Sequence, residues 1–540
     1  MPLGPRQPYR GAHRKLVLAF DIGTTYSGVS YSILDPGEVP QTQGVRRFPG
    51  QENNASDSKI PSILYYNKNG QVMAVGAEAL LPHIMDQAED ENWTKVEWFK
   101  LHLRPHAASV EGKIDFVFSH PNGWGGVQQR RMRSAAVAAD LIEDTPHGHA
   151  RVTFATEGEA CIHFCVRSGL AANAFEGGTN IMVVDAGGGT VDISTYRMEG
   201  RDNINLEEIS APECLFQGSA IVGFRAREYL KHQLSGSRYG QDQDVDEMAR
   251  QFDKTTKTIF RSPEDTAYIR FGSMRDKDPQ YNIRNGQLTL SGAEVASIFK
   301  PSIEATKEGI NRQCNDTADS ISMIFLVGGF AASPWLFSQL SDYATSLHVG
   351  LSRPDTHTNK AVAEGAISFY LDHFVSVRVT RFTYGANVRI CYNPADPEHL
   401  RRVDKAYVDD AGIKRVKDAF QVVLPKGTRV SEQKEFTQPL TRLSRHVQSL
   451  QTVCASVICY TGQLNHPRWT DLEPEAFTSL CTVEGDTSLV PHVPKDGPNG
   501  VYYTQDFHLI LSFGLTELKA QLSLRENDEV DDAYRDLNPG

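Results

Sequence analysis

The 540-residue chain lacks any uninterrupted apolar run of about 18 residues, so no segment reads as a membrane-spanning helix. The basic, Pro-rich opening "MPLGPRQPYRGAHRK" is followed only by "LVLAF", which is too short for the apolar region of a secretory signal. The eight cysteines (161, 165, 214, 314, 391, 454, 459 and 481) form no CxxC pair and keep no regular spacing, which argues against a disulfide framework or a zinc site. Cys161 and Cys165, four apart in an apolar segment, read as buried helix residues. The expected compartment is reducing: the cytoplasm, with the nucleus as the alternative.

Positive charge is also short. Lys and Arg total 55 against 67 Asp and Glu, a net charge of −12, and this excludes a general nucleic-acid binder. Neither GxxxxGK[ST] nor a GxGxxG opening a helix occurs, so any nucleotide is held by neither a Walker nor a Rossmann device. No GxSxG turn or Ser/His/Asp order supports a hydrolase nucleophile. His102/His106 and His147/His149 sit among Pro and Gly without Cys or carboxylate partners and read as surface histidines. "QQRRMRS" (128–134) reads as a solvated basic helix face.

What the chain does have is an alternation of strand and helix patterns from residue 16 to about 371. Apolar runs such as "KLVLAF", "IDFVFSHP", "NIMVVDAGGGTVDISTYRM" and "SMIFLVGGF" are separated by helical segments, the pattern of an α/β fold. From about 375 the texture turns to alternating apolar residues with Gly/Pro turns, as in "VSVRVTRFTYGANVRICY", the pattern of an antiparallel β domain. The expected organisation is a disordered arm (1–15), a two-lobed domain (16–374) divided near 180–190, a β-rich domain (375–524) and an acidic tail (525–540).

Two segments of the α/β part repeat each other without a gap. "AFDIGTTYSGVSY" and "VVDAGGGTVDISTY" align Asp21 with Asp185, Gly23 with Gly187, Thr24 and Thr25 with Gly188 and Gly189, and Ser30 with Ser194. A Gly/Thr turn offers consecutive backbone N–H groups in a concave nest that suits phosphate oxygens, and glycine allows close approach. A carboxylate just before such a turn would repel phosphate unless a divalent cation lay between them, and Mg²⁺ prefers carboxylates and water around phosphates. Two such hairpins facing each other would hold one polyphosphate with Mg²⁺, Asp21 and Asp185 lying on opposite sides.

These segments resemble the phosphate motifs of the actin-like ATPase superfamily, and within it the heat-shock-seventy (DnaK-type) chaperones. "FDIGTTYSGV" resembles the first phosphate motif and "VVDAGGGTVDIS" the second. "FLVGGFAASPWL" is similar to the adenosine motif, and "ATEGEACIHF" and "KAVAEGAISFY" to the two connecting motifs. "FQVVLPKGTRVSEQKEFTQPL" and "FHLILSFGLTELKAQLSLREN" resemble strands of that family's β-sandwich substrate domain. No helical lid follows before residue 540, which resembles the lid-less, fungal-type members.

The resemblance implies duplicated actin-like (ribonuclease H-like) lobes, then a small β-sandwich-like domain. It implies ATP/ADP and Mg²⁺ as ligands and a slow ATPase whose lobe closure modulates a domain that binds unfolded peptide or a partner protein. A scaffold with negligible hydrolysis is the alternative, and a small-molecule kinase a third reading. Gly23, Thr24, Thr25 and Tyr26 would contact phosphates on one side, and Gly187, Gly188, Gly189 and Thr190 on the other. Asp21 and Asp185 would hold Mg²⁺ through water, Asp185 also orienting the attacking water. Glu157 would coordinate a metal-bound water, and Lys100 would reach the transferring phosphoryl group. Asp253 and Lys257 would take the ribose and adenine contacts, and Gly328 and Gly329 would face the nucleoside and phosphate.

The chain departs from that pattern in several places. Ala332 stands where the family has an Arg that packs on adenine, and Thr256 and Phe260 replace a Lys and a Ser. Losing the guanidinium face would weaken binding or relax base choice. Gly158 replaces a Pro after Glu157. Arg130 lies one residue off the register of the family's Pro–Arg pair with Pro121. Arg378 and Arg381 stand in place of the acidic, Leu-rich interdomain linker.

Overall fold

The computed structural model describes residues 6–46, 48–51, 59–97, 114–169, 179–200, 204–317, 319–354, 361–431, 433–488, 490–514 and 516–524. Lys100, the tail 525–540 and the first five residues of the expected arm lie outside the described residues. The chain is mixed α/β with several sheets, and it divides into two compact units, Met1–Ser376 and Val377–Gly540.

Unit one contains two sheets built in the same order. In the first, β1 (Lys15–Ile22) and β2 (Tyr26–Leu34) form an antiparallel hairpin, and a short β3 (Ile60–Pro61) pairs with β2. β4 (Ile114–His120) runs parallel to β1, and β5 (Val152–Thr156) parallel to β4. In the second, β6 (Thr179–Ala186) and β7 (Val191–Glu199) form the hairpin, β8 (Met323–Val327) runs parallel to β6, and β9 (Gly350–Ser352) parallel to β8. Both hairpins keep one register: Asp21 pairs with Gly28, and Asp185 pairs with Asp192, at the 164-residue offset that relates the two sequence copies.

The sequence pattern explains how each strand sits. β1 alternates, burying Val17, Ala19 and Asp21 on one face, whereas β6 is buried from Asn180 to Ala186. Continuous burial is what a strand covered on both faces requires. Phe20, Phe116, Phe118 and Phe154 stack over the first sheet with ring centroids 5.7–6.3 Å apart. Met182, Val184, Ile193, Ile324 and Leu326 anchor a larger core under the second. Each fully buried side chain of this size contributes roughly 1.5–3 kcal/mol, so these two cores hold the hairpins rigidly from behind.

Two helices carry the connecting motifs. α1 (Glu157–Arg167) starts directly from β5, with the Thr156 hydroxyl accepting from the Glu159 N–H at 3.1 Å as its N-cap. Its residues from Glu157 to Val166 are all buried. Later in the chain come α2 (Ser219–Gln233), α3 (Gly292–Asp316), α4 (Pro334–Ser346) and α5 (Ala361–Asp372). α5 crosses α1 at Gly365, where a Cβ would stand 1.8 Å from the Ala160 carbonyl oxygen; only glycine allows that approach. Asp372, ending α5, takes Arg167 at 2.5 Å and Arg6 at 3.0 Å. Tyr9, also from the stretch read as an arm, exchanges backbone bonds with Gly37 and Glu38.

Unit two is built from antiparallel strands. One sheet orders Ala406–Val408, Lys414–Leu424, Thr383–Cys391, Thr452–Tyr460 and Phe477–Asp486; another joins Glu435–Ser444, Gly500–Gly514 and Val493–Gly497, with Glu517–Leu524 also on Gly500–Gly514. The two share a core in which Ala386, Leu424, Val453 and Val457 meet Phe507, Leu509 and Leu511. Among the described residues no helix is long and apolar enough to cross a membrane.

Candidate functional site

The first hairpin ends in a turn whose carbonyls are tied back. Ser62, just after β3, donates its N–H to the Thr25 carbonyl and its hydroxyl to the Gly23 carbonyl, each at 2.8 Å. The same hydroxyl shares a 2.8 Å hydrogen bond with Ser27. Gly23 is required by the turn itself, because a Cβ there would stand 2.1 Å from the Tyr26 carbonyl. Tyr26 is exposed, while Asp21, at the end of β1, is buried. Lys59 reaches it from the residue before β3, with Nζ 2.5 Å from Asp21 Oδ2.

The second turn is tied back by a helix. The N–H groups of Gly218, Ser219 and Ala220, at the start of α2, donate to the carbonyls of Gly189, Gly187 and Gly188 at 3.2, 3.1 and 2.8 Å. The Gly187 N–H closes the turn on the Thr190 carbonyl at 2.9 Å. The N–H groups of Gly188 and Gly189 make no hydrogen bond among the described residues. With their carbonyls held from behind, these two amides are the donors a phosphate nest needs.

Carboxylates crowd this second turn. Asp185 and its cross-strand partner Asp192 are both buried, and Glu157 is buried in the first turn of α1. Burial, then the negative charges of Glu157, Asp192 and Asp21, pushes the Asp185 carboxyl well above the usual range. Asp192 is raised by burial and by Glu157, against donors from Thr190 and the Asn122 N–H. Burial, then Asp185, also raises the Cys161 thiol, which stays protonated and donates to Asp185 Oδ2 at 3.4 Å. Gly328, at φ +91°, closes over the same carboxylate: a Cβ there would stand 2.3 Å from Asp185 Oδ1.

The two turns meet face to face. A Cβ on Gly188 would lie 2.4 Å from the Thr25 hydroxyl, and one on Gly189 would lie 2.5 Å from the Thr24 hydroxyl. The structure therefore gathers Asp21, Gly23, Thr24, Thr25, Tyr26, Asp185, Gly187, Gly188, Gly189, Thr190, Gly328 and Glu157 into one site. Asp253 and Lys257 reach its edge: they pair at 2.8 Å, and Lys257 donates to the Ser219 carbonyl, at the start of α2, at 3.2 Å. Asp253 lies in a π-helical turn, Phe252–Thr256, which re-aims the helix there. Gly329 and Ala332 are exposed.

No protein-family model matches the chain. Heat shock 70 kDa protein 12A of Homo sapiens is 21% identical over 493 residues, covering 69% of this chain and 72% of that protein; the Mus musculus protein of the same name gives the same figures. The similarity supports a relationship to Hsp70-like, actin-like ATPases.

Several departures from the Hsp70-like pattern have visible causes. Phe260 is turned inward, packing edge-on against Trp335 (5.4 Å) and over Phe299 (6.0 Å), so it gives the core what a Ser would have given a base. Arg130 is exposed, and the buried neighbour Gln129 takes the inward position, 2.9 Å from His120 Nε2. Gly158 is needed where it stands: a Cβ would lie 2.4 Å from the Ser194 hydroxyl.

Three residues of the site escaped the sequence reading. Asp192 lay inside the quoted repeat, opposite Gly28 in the other copy, and pairing the copies across their hairpins would have found it. Asn122, after Pro121, donates its N–H to Asp192 (2.7 Å) and its amide to Ser194 (2.9 Å), and accepts from the Gly158 N–H (3.2 Å). Lys59 stands 38 residues from the aspartate it pairs with, and no local pattern marks it.

Proposed function

We propose that the chain is an Hsp70-like nucleotide-binding switch and that the two hairpins hold the polyphosphate of ATP. One observation carries this reading: two turns of a gapless repeat, in the same register, meet with Thr24 and Thr25 against Gly189 and Gly188. The equivalent registers and strand orders support a duplicated lobe. The Gly188 and Gly189 amides and the two Thr hydroxyls would bind phosphate oxygens.

The residues fit Mg²⁺ as well. Asp185 and Asp192 are crowded by Glu157 in a buried setting, an arrangement in which a cation relieves the repulsion. Mg²⁺ characteristically keeps several waters and is held by one or two carboxylates beside phosphate, so ligation through water suits Asp21 and Asp185. Bound Mg²⁺ would offset phosphate charge there. Asp185 would accept a hydrogen bond from the attacking water, Glu157 would orient a second water, and Lys100 would meet the transferring group. The thiol of Cys161, which donates to Asp185 Oδ2, would help hold that carboxylate in place. Phosphoryl transfer to water needs little more than such positioning and charge stabilisation.

The β-rich unit would bind extended peptide or a partner protein. The second reading is a scaffold with negligible hydrolysis; the inward turn of Phe260 and the small Ala332 would reduce base contacts under either reading. Single-turnover hydrolysis of ATP by wild type and Asp185→Asn, alongside calorimetry with MgATP and MgADP, separates the two. Binding by both with hydrolysis by wild type alone is expected. Tight binding without hydrolysis by either favours the scaffold, and no binding by wild type sinks both readings.

A further inference from the structure

The two hairpins treat the position opposite their aspartate differently. Opposite Asp185 stands a second carboxylate, Asp192; opposite Asp21 stands Gly28. The room over Gly28 is filled from outside the hairpin by Lys59, whose Cγ and Cε would lie 3.2 and 3.4 Å from a Cβ at that position. The stem is thereby laid along the strand, and the ammonium ends 2.5 Å from Asp21 Oδ2. The two side chains are 17% and 4% exposed.

The backbone that delivers this lysine is fixed to the phosphate turn itself. Ser27 pairs with Ile60 and Tyr26 with Pro61, and Ser62 bonds the carbonyls of Gly23 and Thr25. The three residues after Lys59 thus tie its backbone to the turn. A Lys–Asp pair this buried adds little net stability, since desolvation offsets most of the attraction. An ammonium carries three N–H donors, and one carboxylate oxygen uses one of them.

We infer that Lys59 is a phosphate-binding residue of the first hairpin, positioned by Asp21. Its ammonium supplies the positive charge that phosphate meets on this side, so the hydrated cation is held chiefly on the side of Asp185. The inference rests on the nucleotide reading above, and it adds a residue to which neither the repeat nor the phosphate motifs assign a role. It also divides the task between the hairpins: the first brings its own cation, and the second recruits one.

The test is calorimetry of ADP binding to the full chain in excess Mg²⁺ and in excess EDTA. It compares wild type, Lys59→Met, and the double variant Lys59→Met/Asp21→Asn, which leaves no unpaired buried carboxylate and so guards against misfolding. Wild type is expected to bind ADP in EDTA, and both variants to lose roughly tenfold or more of that metal-free affinity, the worth of a charge-assisted hydrogen bond. The loss should be smaller in Mg²⁺. Metal-free affinities within about twofold of wild type in both variants would overturn the inference. Restoration of wild-type binding by the double variant would also overturn it, by showing that Lys59 serves only to neutralise Asp21. Wild type that binds ADP only with Mg²⁺ removes the inference and leaves the nucleotide reading intact. Wild type that binds under neither condition removes both.

Discussion

Asp21 and Asp185 stand at the same step of two matching hairpins, and their neighbours differ in sign. Asp21 faces an ammonium over a glycine, while Asp185 shares its surroundings with Asp192 and Glu157. Backbone support differs in kind as well. A single serine after a two-residue strand ties back the first turn, and three successive amides at the start of α2 tie back the second. A repeated backbone thus fixes where donors point, and side chains arriving from elsewhere set the charge each copy presents. In the proposed site the first turn brings its own cation to the phosphates, and the second adds a metal-borne charge to the direct donors of its amides.

The sharpest way to break this pairing is to fill the gap between the turns. In Gly188→Val the added Cβ overlaps the Thr25 hydroxyl, and the branched side chain also occupies the space where the Gly188 amide would meet phosphate. MgADP affinity should fall roughly a hundredfold or more, the worth of two charge-assisted hydrogen bonds. Thr25→Ala, which removes a hydroxyl from the opposite side without adding bulk, should cost about tenfold or less by the same measure. Equal losses from the two in calorimetry would mean that the turns do not act as partners.

The second effect is a pH dependence arising at the second hairpin. In the folded chain Asp185 is held up to about 8 and Asp192 to about 7, chiefly by burial and then by Glu157, whereas in the unfolded chain both ionise near 4. Between those limits the folded state keeps protons that the unfolded state has lost, so stability falls as pH rises. The ligand-free protein in EDTA should therefore melt at a lower temperature at pH 8 than at pH 6. Asp192→Asn should flatten that slope, since Asn can still accept from the Asn122 N–H. A melting temperature that rises over this interval in wild type would contradict the crowding of the second hairpin.

Much of this site was legible in the sequence, because a gapless repeat constrains register. Once Asp21 and Asp185 align, the cross-strand pairing and the meeting of two Gly/Thr turns follow from one hairpin geometry used twice. Lys59 was not legible, because a salt bridge between residues 38 apart depends on which strand edge β3 finds. The inward turn of Phe260 was hidden for a related reason. Its aromatic neighbours Phe299 and Trp335 come from α3 and α4, and only packing brings them together. The α/β character and the change to antiparallel strands are written in apolar periodicity, a local property. Charge complementarity across a turn is a tertiary property, and the motifs carry no trace of it.

The smallest effect tests the lighter support of the first turn. Ser62→Ala removes the hydroxyl that donates to the Gly23 carbonyl and meets Ser27, but it keeps the N–H bond to Thr25. Ser62 is buried, so the Gly23 carbonyl loses a partner that water cannot easily replace, at a cost of about 1 kcal/mol in unfolding free energy. Equilibrium denaturation measures that directly. Because β3 carries Lys59 to Asp21, loosening Ser62 should also weaken metal-free ADP binding more than MgADP binding. No such difference is expected from changes at α2, which supports only the second turn. If Ser62→Ala lowered both affinities equally, the first turn would depend on its own backbone alone, and the delivery of Lys59 by β3 would have no part in how it binds.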